Sequence, residues 1–139
     1  MSTDIARINL NAEMQSAGFF STVDASTDEG KKTVYTAINS AESLRDLVGK
    51  TVHVVDFIVQ EVEVVSDETD ETISVPRSVI VLDDGSVYAA TSNGVFNSIR
   101  NILSIFGSPR TWGAPLTVKV DEKSTRRNIM FRYLTLSVV

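Results

Sequence analysis

The chain has 139 residues, 42% of them hydrophobic and 22% charged, which suits one domain with a sizeable core and excludes a wholly disordered chain. It has no cysteine and one histidine, which excludes disulfides, thiolate metal sites, a cysteine nucleophile and histidine-rich metal sites. A net charge of −5 argues against indiscriminate coating of nucleic acid through bulk charge.

That net charge hides an asymmetry. Residues 1–76 carry five basic and 14 acidic side chains, a balance of −9, whereas residues 77–139 carry eight basic and four acidic ones, a balance of +4. A local basic groove in the second half is compatible with this split. No apolar run approaches the ~20 residues of a membrane span. The N-terminus lacks the basic start and apolar core of a signal peptide. The expectation is a protein of a reducing cytoplasm, with no membrane partner.

Residues 1–30 are rich in Ala, Ser, Thr, Asn and Asp, with Phe19 and Phe20 as the only adjacent bulky pair. They read as a mobile acidic N-terminal arm, anchored by the two phenylalanines on the core or on a neighbouring subunit. A domain of residues 31–139 follows. Residues 32–38, Lys-Thr-Val-Tyr-Thr-Ala-Ile, predict a short strand. Asn39 and Glu42 have the spacing of a capping box for a small helix that carries Leu44, Leu47 and Val48 and ends at Gly49.

Residues 51–65 predict a long strand, dense in valine, with Asp56 interrupting an apolar face and so marking a bulge or bend. On strict alternation Val52, Val54, Ile58, Val62 and Val64 share one face, and His53, Val55, Phe57 and Val59 the other. An acidic loop at 66–72 precedes a strand at 77–82. Asp83-Asp84-Gly85-Ser86 is a tight turn, with Gly85 free to adopt positive φ. A third strand covers 86–91.

Ser92 or Asn93 caps a helix that runs to Phe106. Its apolar residues Val95, Phe96, Ile99, Ile102, Leu103 and Phe106 recur at spacings of three and four. Residues 116–120 and 129–139 are the last two strands, joined by a charged connection. The order β-β-β-α-β-β predicts an all-β protein with one helix. The expected fold is an OB-fold, a five-stranded Greek-key barrel with its helix between strands three and four and a flexible N-terminal arm. An SH3-like barrel lacks that helix, and a β-grasp fold places it earlier.

For catalysis the residues offer almost nothing. His53 has no Ser-Asp partnership, Asp83-Asp84 is ordinary turn chemistry, and residues 67–71 lack the ligand alternation and glycine of a calcium loop. No cofactor cradle and no metal site is expected. The last strand is more informative. Phe131 and Tyr133 alternate outward beside Arg126, Arg127 and Arg132. Aromatic rings beside cations suit single-stranded nucleic acid: bases stack on rings and cations track phosphates. Phe57, Tyr88 and Trp112 are further stacking candidates. Arg77, Lys119 and Lys123 join the three arginines as phosphate-binding candidates. Each aromatic taken alone also fits core packing, and Trp112, between Pro109 and Pro115, also fits a lid over the barrel end.

From about Val34 to Val139, roughly three-quarters of the chain, the sequence resembles the small single-stranded DNA-binding proteins of phages and mobile elements of Gram-positive bacteria. The resemblance rests on an ordered set: Tyr35-Thr36-Ala37-Ile38-Asn39, LRDLVGK at 44–50, VVDFI at 54–58 and PRSVIVLDDGSVY at 76–88. It continues with SNGVFNSI at 92–99, Ile105-Phe106-Gly107, Trp112-Gly113-Ala114-Pro115-Leu116 and Arg132-Tyr133-Leu134-Thr135-Leu136. It implies an OB-fold that binds and protects single-stranded DNA during phage replication or recombination in the cytoplasm of the bacterial host, without enzymatic activity. Partners beyond DNA would be replication proteins, reached through the acidic arm or the 67–71 loop. The chain would be a monomer or homodimer. The rival reading is a protein-binding or structural OB module of a phage assembly. The overall acidity favours that rival, and the basic residues after 77 disfavour it.

Overall fold

The structure, a computed structural model, describes residues 9–66, 69–124 and 132–139. In chain order they form α1 (Leu10–Ala17), β1 (Phe19–Ser21), α2 (Asp28–Asn39), β2 (Glu42–Ser43) and a 3-10 turn (Leu44–Leu47). Then come β3 (Thr51–Val65), β4 (Thr72–Leu82), β5 (Val87–Ala90), α3 (Asn93–Phe106) and a second 3-10 turn (Pro109–Thr111). β6 (Leu116–Ser124) and β7 (Arg132–Val138) complete the chain.

The strands make one sheet in the order β2-β5-β4-β3-β6-β7, with β1 added to β3. All pairings are antiparallel except β2 on β5. β3 is the hinge of the architecture. Its first residues, 51–54, pair with β6, and its remainder pairs with β4. The sheet curls into a half-barrel. Its edge strands are β2, which pairs with β5, and β7; among the described residues these edges do not pair, so the sheet stays open between the β2–β5 side and β7.

The expected five-stranded OB barrel with a single helix is therefore corrected to a seven-stranded half-barrel with three helices. The N-terminal segment accounts for most of the difference. Asn9 caps α1 by accepting the Ala12 N–H at 3.1 Å, and Leu10 is fully buried in the main core. Phe20 packs against that core, as expected of the anchor, and β1 extends the sheet along Phe19–Ser21. Residues 9–30 are thus built into the fold, and the flexible arm expected there is corrected.

The strand expected at 32–38 is helix instead. Thr27 caps α2 by accepting the Gly30 N–H at 3.0 Å, and Asp28 and Glu29 stand in the first turn, where the helix dipole favours acids. Gly30, Val34 and Ala37, at spacings of four and three, form the inward stripe. A Cβ at Gly30 would lie 1.8 Å from the Asp24 carbonyl oxygen, so only glycine lets the chain cross there. Val34 and Ala37 meet Ile58, Val79, Val81 and Val87 on the outer face of the sheet, a second core cluster. The small helix expected after Asn39 is shortened to the 3-10 turn, which puts Leu44 and Leu47 into the main core.

The bulge expected at Asp56 is present as a register shift between Val54 and Asp56 against β4. It inverts the alternation: Val52 and Val54 before it, and Phe57 and Val59 after it, all point into the main core. Asp56 itself is buried. It accepts the Thr22 hydroxyl at 2.8 Å and forms an ion pair with Arg110, while the Phe57 N–H donates to Thr22 Oγ1 at 2.9 Å.

Candidate nucleic-acid interface

The opening between β5 and β7 is a cleft of about 940 Å³. Its floor is Ala89 and Ala90 of β5, one wall is the start of α3 with Tyr133 and Leu134 of β7, and the other is the 41–45 segment with Arg77 of β4. The position of α3 follows from its sequence. Ser92 caps it, and Val95, Ile99, Ile102 and Leu103 bury one face in the main core.

Helix α3 also occupies the edge that a neighbouring strand would otherwise pair. Ser92 Oγ donates to the Leu134 carbonyl at 2.9 Å and accepts the Leu134 N–H at 3.2 Å. Ser98 Oγ accepts the Leu136 N–H at 3.0 Å. Two serines thus satisfy backbone groups of β7 that would be costly to leave unpaired. This arrangement keeps β5 apart from β7 and leaves the cleft between them.

Tyr133 is 37% exposed and lines the cleft. A Cβ on Gly94 would lie 2.8 Å from Tyr133 Cδ2 and 2.3 Å from the Leu134 carbonyl oxygen, so glycine lets the ring rest on the first turn of α3. No acidic side chain stands in that turn, and Asn93 and Asn97 add amide groups to the cleft. The positive end of the helix dipole and the two amides suit phosphate and base edges.

The cations lining the cleft are Arg45 and Arg77. Arg77 Nη1 donates to the Ala37 carbonyl at 2.7 Å and to Gln60 Oε1 at 3.0 Å, and partial burial lowers the pKa of its guanidinium. Arg45 forms an ion pair with Glu122 of β6. Sequence reading missed Arg45, Asn93, Asn97 and the role of Gly94. The spacing of Asn93 and Asn97, one helical turn apart beside the Ser92 cap, was the available signal for that pair.

Of the expected site residues the cleft unites Arg77 and Tyr133. Lys123 is the cross-strand partner of Tyr133 and is exposed beside it. Lys119, further along β6, is exposed and stands 3.8 Å from Asp121. Phe57 is fully buried and meets Trp112 edge-on, with ring centroids 6.1 Å apart. Trp112 also donates from Nε1 to the Phe106 carbonyl at 3.1 Å. Tyr88 is half-buried against the main core. Phe57 is thus a core residue, Tyr88 and Trp112 pack partly buried against that core, and none of the three is in the cleft lining. Phe131, Arg126 and Arg127 lie outside the described residues, and Arg132 begins β7. His53 Nδ1 lies 3.1 Å from the Thr117 hydroxyl on the sheet surface.

An open half-barrel with an exposed aromatic ring, two arginines and a helix N-terminus at its mouth suits the binding of a nucleic-acid strand. The family model described as phage single-stranded DNA-binding protein matches residues 13–139, and the chain belongs to that family. Its partner is accordingly single-stranded DNA. The match includes α2 and most of α1, so the N-terminal segment is part of the family's pattern. Neither the curated proteins nor the solved structures offer a match. Among the described residues no helix is long and apolar enough to cross a membrane.

Proposed function

We propose that the chain binds single-stranded DNA with little regard to sequence, through the cleft between β5 and β7, and protects it during phage replication or recombination in the host cytoplasm. The observation that carries this reading is the family match over residues 13–139, together with Tyr133, Arg45 and Arg77 at one cleft. Tyr133 offers a ring to a base; stacking is indifferent to sequence because every base has a π-face. Lys123 and Lys119 continue a cationic path along β6. Arg126, Arg127 and Arg132 are proposed to bind phosphate, and Phe131 to stack a base. The role is binding, without catalysis. Replication proteins would meet the acidic N-terminal segment or the 67–71 loop, and the chain would act as a monomer or homodimer.

The test is footprinting of bound oligothymidine by photo-crosslinking. Crosslinks at Tyr133 and the β6–β7 connection are expected. Crosslinks confined to the outer face of α2, with none at Tyr133, would overturn the placement.

A further inference from the structure

We infer that Glu122 is a built-in competitor for DNA phosphate at Arg45, so that affinity is set by how readily a strand displaces this carboxylate. The inference rests on the cleft as the DNA site. Arg77, the other cation in the lining, already donates to Ala37 and Gln60, which leaves Arg45 as the cation whose partner can change. The Arg45 side chain is 58% exposed at the cleft wall, and its guanidinium holds the Glu122 carboxylate, itself 18% exposed.

The position of Glu122 explains why it can compete. It follows Val118 and Val120 on the inward row of β6 and is the cross-strand partner of Leu134, a cleft residue. A carboxylate and a phosphate present similar paired oxygens to a guanidinium fork. The ion pair is open to solvent on the arginine side and is weak enough to be exchanged. When DNA binds, Arg45 moves its contact from a fixed carboxylate to a phosphodiester; the phosphate releases a cation and the freed Glu122 carboxylate takes one up, so the net release is smaller. Two consequences follow: affinity is lower than the cleft cations alone would give, and its salt dependence is shallower.

Anisotropy of labelled oligothymidine at several salt concentrations tests this in the full chain. Glu122→Gln keeps the side-chain shape and should tighten binding about two- to fivefold. It should also steepen the slope of log affinity against log salt by up to about 0.7, the value of one phosphate's counterion on a single strand, because no freed carboxylate then takes a cation back. In an Arg45→Ala background the same change should do nothing. Unchanged or looser binding by E122Q would overturn the inference, because the pair would then be structural. Equal tightening with and without Arg45 would overturn it too, as simple repulsion of DNA by Glu122.

Tyr133→Ala separates the two levels of failure. If Y133A binds like wild type, the cleft reading falls and the competitor with it. If Y133A weakens binding while E122Q does not tighten it, the competitor alone falls. Should thermal unfolding show E122Q to be misfolded, Glu122→Asp, which draws the carboxylate back from Arg45, must tighten binding instead, and its failure to do so counts against the inference.

Discussion

The Ser92 hydroxyl engages both backbone polar groups of Leu134, donating to the carbonyl at 2.9 Å and accepting the N–H at 3.2 Å. The same oxygen accepts the Gly94 N–H at 3.2 Å and so caps α3. One side chain thus begins the helix and fixes the strand that carries Tyr133. Ser92→Ala should cost about 1–2 kcal/mol, from the lost cap and the strand groups left without a partner. Urea unfolding measures it. A stability within experimental error of wild type would show that β7 holds its place without the helix.

Leu10 gives a test of the N-terminal segment. It is fully buried in the main core, from a stretch whose composition suggests a mobile arm. Leu10→Ala should destabilise the protein by about 2–5 kcal/mol, the range for a leucine removed from a packed core. A change below about 0.5 kcal/mol, typical of an exposed site, would return residues 9–30 to the status of an arm.

At Gly94 stability and binding should change together. An alanine there puts a methyl group against the Leu134 carbonyl and the Tyr133 ring. Overpacking of this kind costs about 1–3 kcal/mol. Because it pushes on the stacking residue, Gly94→Ala should also weaken DNA binding. Thermal unfolding and anisotropy on one preparation check both, and wild-type affinity in a destabilised G94A would dissociate Tyr133 from the DNA site.

The β4–β5 turn gives a prediction about pH. Asp84 Oδ1 accepts the Ser86 hydroxyl at 2.5 Å and the Ser86 N–H at 2.9 Å. These bonds, the hydroxyl foremost, hold the carboxyl below the usual carboxylate range. A depressed folded pKa stabilises the fold above the ordinary carboxylate range, and that contribution is lost as pH falls through the folded value. Near neutral pH it is therefore constant. Ser86→Ala should raise the Asp84 pKa, read by NMR titration of its carboxyl carbon. An unmoved pKa would remove the hydroxyl as the cause.

Much of the chain after residue 50 was legible from the sequence. The bounds of β3, the bulge at Asp56, the 83–86 turn and the Ser92-capped helix to Phe106 follow from alternation, turn chemistry and helical spacing. The first 40 residues were not. Thr33-Val34-Tyr35 has the β-branched and aromatic look of a strand, yet α2 forms because its cap, acidic first turn and Gly30-Val34-Ala37 stripe act together with packing on the sheet. Phe57 illustrates a subtler limit. The bulge was visible, but its effect is to shift the side-chain alternation by one, which carries Phe57 from the expected outer face into the core. Arg45 reaches the cleft only through the tertiary route of the 41–45 segment, which no local pattern encodes.

The most direct test of the account is anisotropy of labelled oligothymidine against a duplex of equal length, at two salt concentrations, with wild-type protein and Tyr133→Ala. The expected result is tight, salt-sensitive binding to the single strand and far weaker binding to the duplex. Loss of about 1–3 kcal/mol of binding free energy is expected in a folded Y133A, the value of one stacked base. Equal affinity for duplex and single strand, or wild-type affinity in Y133A, would contradict it.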